Sequence, residues 1–118
     1  MAASLKISLQ FGFTNGLDSQ PSQNISISDA PAASARIDDI VGATTADATL
    51  GTTLVSTIGW VVLVNLDNTN SVLVGANGTD YPILISPGQA FAAKWNAAAI
   101  HYKASAGTPN VRALVWSA

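Results

Sequence analysis

Residues 86–107, SPGQAFAAKWNAAAIHYKASAG, decide the fold, because one set of rules makes them a helix and another makes them two strands. Ser86 and Gln89 have capping-box spacing, and Pro87 stands where a first helical residue would. Phe91, Trp95 and Tyr102 fall near one helical face, and Gly107 is placed to end the helix. Taken alone, the segment reads as a helix. Against that, Pro87-Gly88 suits a type II turn, Asn96-Ala97-Ala98 can reverse the chain, and the strand spelled by residues 111–116 needs a neighbour.

Outward from this segment the chain reads as strands. LKISLQFGF puts Leu5, Ile7, Leu9, Phe11 and Phe13 on one face and Lys6, Ser8, Gln10 and Gly12 on the other, the period of two of a half-buried strand. Residues 14–24 are rich in turn formers and read as a loop, Ile25-Ser26-Ile27-Ser28 alternates again, and residues 29–36 are ambiguous. Two short strands are expected within residues 36–57. Trp60-Val61-Val62-Leu63-Val64 is a continuous apolar run, as in a central strand covered on both faces. Residues 71–75 and 81–85 follow as a hairpin around Asn77-Gly78, with Pro82 placing the second strand at a sheet edge or at its own first position.

A chain of 118 residues without cysteine fits one domain that needs no disulfide or metal staple. The N-terminus carries a single Lys in an alternating pattern and reads as neither signal peptide nor membrane span. Net charge is −2, with Lys6, Arg36, Lys94, Lys103 and Arg112 scattered, so no basic cluster is available to neutralise a phosphate backbone and no nucleic-acid partner is expected. Charged residues make up 10% of the chain, against about 25% in ordinary soluble domains. A surface so poor in charge suits one largely covered by partners and equally a well-folded β domain with a Ser/Thr surface, and composition alone does not choose between them.

The succession NLDNTNSVLVG, YPILISPGQAF and IHYKASAGTPNVRALVW resembles small bacteriophage virion proteins of the β-sandwich or jelly-roll kind, found as capsid decoration or tail-associated components. The resemblance covers the last 60 or so residues and reaches the first half through strand spacing. It implies strands across residues 89–104, a turn at Pro87-Gly88 and at residues 67–70, a structural role in the virion, and no catalytic motif.

The inventory for chemistry is thin. His101 is the only histidine and there is no Cys or Glu, so acid–base pairs, activated nucleophiles and zinc sites lack partners. No enzyme activity, cofactor or metal is expected. On a strand His101 faces away from Ile100 and Tyr102, as an exposed or interface residue. Adjacent Asp38 and Asp39 point to opposite sides of a strand and read as solvated rim residues. Asn65, Asp67, Asn68 and Asn70 place one carboxylate among amides, with Thr69 where a calcium loop would offer a second acid, so the cluster reads as a turn ahead of a calcium site. Trp60, Trp95, Trp116, Tyr81 and Tyr102 could stack on sugars, but core or interface duty ranks first for them.

The resulting expectation is an all-β protein, an antiparallel two-sheet β-sandwich of jelly-roll type with seven to ten short strands in one domain over residues 1–118, with residues 1–4 as a short arm. The expected role is a structural virion protein, a capsid decoration or cement subunit, ahead of a tail or fibre component and of a carbohydrate-binding module. Its partners would be identical subunits in a homotrimer and the major capsid protein or another virion protein, without membrane or nucleic acid. Trp95, His101, Tyr102 and Trp116 are the candidate interface, and Asp67, Asn68, Asn70, Asn77 and Asp80 the candidate contact loops.

Overall fold

The computed structural model describes residues 4–15, 18–29, 36–55 and 57–118. Of the arm at residues 1–4, residues 1–3 lie outside the described residues, as do residues 30–35 of the ambiguous stretch. The chain divides into two compact units, Met1–Ala32 and Ala33–Ala118.

The first unit is an antiparallel ribbon of β1 (Leu5–Asn15) and β2 (Asp18–Asp29). Ile7 pairs with Ile27 and Leu9 with Ile25, and the register shifts between Phe11 and Phe13. The loop expected over residues 14–24 is therefore mostly strand. Pro21 falls within that register shift and has no ladder partner, so its missing N–H does not interrupt the ribbon.

The second unit holds β3 (Arg36–Gly42), β4 (Ala48–Thr49), β5 (Ile58–Asn65), β6 (Val72–Gly75), β7 (Ile83–Ile85), β8 (Ala90–Lys94), β9 (His101–Ala104) and β10 (Asn110–Ser117). Among the described residues there is no helix. Two four-stranded antiparallel sheets have the orders β3-β10-β5-β8 and β4-β9-β6-β7. First pairs with last, second with second-last, and so inward to the β6–β7 hairpin: one long hairpin rolled across two sheets, which is the jelly roll.

The deciding segment resolves into strands, and its helix signals are reused. Gln89 N–H donates to the Ser86 carbonyl at 3.0 Å and Gly88 has φ +73°, so the residues with capping-box spacing are the first and fourth of a type II turn. Pro87 serves a first helical position and the second turn position with the same fixed φ. Phe91 then lies in the β3-β10-β5-β8 sheet and Tyr102 in the other, while Trp95 begins the connection between them. Phe91 and Trp95 meet edge to face with centroids 6.4 Å apart.

Apolar residues of both sheets fill the core, among them Val61, Leu63, Val72, Val74, Ile85, Val111 and Val115, with Phe91, Trp95 and Tyr102 packed against it. Each fully buried aliphatic side chain contributes about 1.5–3 kcal/mol relative to exposure. Of the two strands expected within residues 36–57, β3 is long and β4 short, and the described part of residues 50–57 is irregular. Leu50 and Val55 still reach the core from there, their N–H groups donating to Ile100 and Thr52 carbonyls. As expected, β5 is central and β7, preceded by Pro82, is an edge. The hairpin after β6 exists, but not as a two-residue turn: Gly78 has no positive φ, so a type I′ turn is ruled out and the connection runs through residues 76–82.

Candidate functional site

The Asn/Asp cluster after β5 is a turn built on a buried amide. Asn65 is 1% exposed. Its Nδ2 donates to the carbonyls of Asn70 at 2.8 Å and Ile85 at 3.1 Å, and its Oδ1 accepts from the Asp67 N–H at 3.0 Å. Asp67 Oδ2 accepts from the N–H groups of Thr69 and Asn70, and these bonds, Asn70 first, hold its carboxyl below the ordinary range. Asn68 takes a bond from the Thr69 hydroxyl. The side-chain oxygens point at the loop's own donors, which gives the local composition a purpose in backbone satisfaction.

The second loop, residues 76–80, is exposed throughout. Asn77 Oδ1 accepts from the Thr79 N–H, the Thr79 hydroxyl and the Asp80 N–H at 2.8–3.0 Å. At the loop's root, Gly75 lies so close to the Asp80 carbonyl that a Cβ would collide with it.

Beside this loop stands a polar cluster that sequence reading missed. Asp47, just before β4, accepts a short hydrogen bond from the Tyr81 hydroxyl and lies 3.0 Å from His101 Nδ1. Its carboxyl is held low by Tyr81 and then His101, and Tyr81 is pushed up to about 12 by Asp47. Lys103 Nζ sits 4.4 Å over the Tyr81 ring, occupying the face that a sugar would need. His101 thus acquires a carboxylate partner 54 residues away in sequence, a contact created by the β4–β9 pairing, in which Thr49 stands opposite His101.

The four interface candidates separate. Trp95 and Tyr102 lean on the core, and the Trp95 indole N–H donates to the Ala99 carbonyl at 2.9 Å. Burial pushes the Tyr102 hydroxyl pKa up. His101 and Trp116 point outward, on opposite sheets. Trp116 belongs to a broad apolar outward face of the β3-β10-β5-β8 sheet. Cross-strand neighbours there run Trp116 with Arg36, Leu114 with Asp38 and Val62, Trp60 with Lys94, and Val64 with Ala90. Trp60, Val62, Val64, Leu114 and Trp116 are each partly accessible, whereas Val61, Ala113 and Val115 between them are buried. Arg112 grips Asp38 through two nitrogens at 3.0 and 3.1 Å, lowering the pKa of the carboxyl. Asp39 instead caps its neighbour Ile40, so the two adjacent acids do not act together.

The signal for this face was present in the apolar runs of β5 and β10, which are hydrophobic at outward as well as inward positions. Among the described residues no group of three or more His, Cys, Asp or Glu gathers as a metal site. The chain matches no family model, no curated protein and no solved structure, so its function has to be argued from this geometry.

Proposed function

We propose that the protein is a non-enzymatic structural virion subunit, a capsid decoration or cement protein that acts by binding. The observation that carries the proposal is the outward face of the β3-β10-β5-β8 sheet, with Trp60, Val62, Val64, Leu114 and Trp116 in adjoining positions. A lone soluble domain seldom leaves so contiguous an apolar surface unused. The low charge and the resemblance in the second half of the chain support the same reading, and jelly rolls recur in capsid proteins. Identical copies, arranged as a trimer where capsomers meet, would bridge neighbouring shell subunits. Every contact made only in the assembled shell then raises the cost of separating them.

The test is stoichiometry. In purified particles of a virus that encodes this chain, gel densitometry against the major shell protein should give a copy number on the scale of the shell. A few copies per particle would move the protein to the tail, and its absence from particles would sink the proposal.

A further inference from the structure

The ribbon of β1 and β2 has two unequal edges. Among the described residues each strand pairs on one side only, so its other side offers a row of backbone N–H and C=O groups. Across the register shift, Phe11 to Phe13 on β1 stands opposite Gln23 to Gln20 on β2, so the extra residue lies on β2. That strand also carries Pro21 and an acid at each end, Asp18 and Asp29. A bulge, a proline and charge are the devices that blunt an edge against further pairing. In β1, LKISLQFGFTN, there is no proline, no acid and no extra residue, and the one charge is Lys6 near its start.

The ribbon also has one apolar face. Ile7 pairs with Ile27 and Leu9 with Ile25, and Leu9 and Ile25 are 42% and 45% exposed. Lys6, Ser8 and Gln10 share the other face with Ser28, Ser26 and Asn24. Two strands are marginal in water, whereas a wider sheet with an apolar face is stable. Antiparallel pairing of β1 with the β1 of a second copy, over its full length, is centred on Gln10, the middle residue of Leu5–Asn15. Odd-numbered positions then meet odd-numbered positions, so the apolar face continues across the join. Lys6 falls opposite Thr14, roughly 26 Å from the other Lys6 and well beyond the screening length. The strand is its own complement.

We infer that the free edge of β1 is a self-association site, where the ribbons of two copies join into one four-stranded sheet, β2-β1-β1-β2, about a two-fold axis at Gln10. The outer strands of that sheet are both β2, whose edges are blunted, so pairing stops at two ribbons instead of running on as a fibre. This contact goes beyond the proposed function, and it does not use the sheet face that carries that reading.

The chain has no cysteine of its own, so a single introduced thiol reports on the axis. Under mild oxidation of the full chain, Gln10→Cys should link most chains into disulfide-bonded pairs, because each thiol meets its own copy there. Asn24→Cys, on the blunted strand, and Ser8→Cys, which falls opposite Gly12, should link few. In sedimentation at tens of micromolar, Gln10→Lys and Gln10→Glu should each weaken ribbon pairing about tenfold by setting like charges opposite each other. An equimolar mixture of the two should restore it. Ser8, Gln10 and Asn24 are exposed, so melting temperatures near wild type are expected and show that the variants fold. Failure of Gln10→Cys to cross-link, cross-linking of Asn24→Cys or Ser8→Cys to the same extent, or a mixture no better than either charge variant alone would overturn the inference.

Discussion

The loops after β5 and after β6 are written in the same residues, NLDNTN and ANGTD, yet they relate to the core in opposite ways. In the first, the leading asparagine is inside the protein and its amide ties β5 to the strand end at Ile85 and to the loop's own exit. In the second, the asparagine is outside and bonds to residues two and three further on. What differs is the position of the amide relative to the strand: Asn65 is the last residue of β5, on its inward face, whereas Asn77 lies two residues beyond β6. A buried amide has to be fully bonded, so it fixes its loop. An exposed one can exchange its partners for water, which leaves the loop's outer surface available for contact.

Asn65→Ala should therefore have the largest effect. It strands two carbonyls and one N–H in a place with little water, at a cost of about 3 kcal/mol, and thermal unfolding should begin roughly 10 °C lower. An unchanged melting temperature would mean that the amide is dispensable and would erase the contrast between the loops. Gly75→Ala comes next. The second loop is held at its root by close approach of the backbone, where a Cβ would meet the Asp80 carbonyl, so the strand or the loop has to move at a cost of about 2 kcal/mol. Stability equal to wild type would show that the root has slack.

Much of this was legible in the sequence. Alternation announced β1, the apolar run announced a central β5, and Pro82 announced an edge. What failed did so for identifiable reasons. Ser86, Pro87 and Gln89 satisfy a helix start and a β-turn equally well, because both begin with a fixed φ and a bond spanning three residues. Asn77-Gly78 promised a tight turn, but its amide closes a wider loop. His101 looked unpartnered because Asp47 is brought to it only by β4–β9 pairing, and no local pattern encodes that. The apolar outward face was visible as hydrophobic residues at every position from Trp60 to Val64 of β5. Along that run the inward Val61 and Leu63 are buried, while the outward Trp60, Val62 and Val64 are partly accessible.

Acid should distinguish the first loop from its neutral variant. The Asp67 carboxyl is lowered from 3.8 by the N–H groups of Asn70 and Thr69, so its ionised form is favoured in the folded state. That stability is present above pH 3.8 and is lost as the pH falls below it, through the folded pKa. Urea unfolding of wild type and Asp67→Asn at pH 6 and pH 3 should show the gap between them narrowing in acid. Asp38 and Asp47 are also lowered, so both proteins weaken at pH 3, and only the difference between them reports on Asp67. A gap of constant size would dissociate the carboxylate's charge from its role in the turn.

Asn77→Ala should have the smallest effect on folding. The three bonds to its Oδ1 come from exposed donors within the next three residues, and water replaces such partners at little cost, so the change in unfolding free energy should stay near 0.5 kcal/mol. If the loop is a contact surface, the same substitution should register in association instead, by freeing Thr79 and Asp80 to leave the geometry that the Asn77 amide holds. Measured side by side, unfolding and sedimentation of Asn77→Ala should therefore diverge: nearly unchanged stability with weaker assembly. A loss of 2 kcal/mol or more in unfolding would place Asn77 in the same anchoring role as Asn65, and the second loop would then be structural rather than a surface held out for a partner.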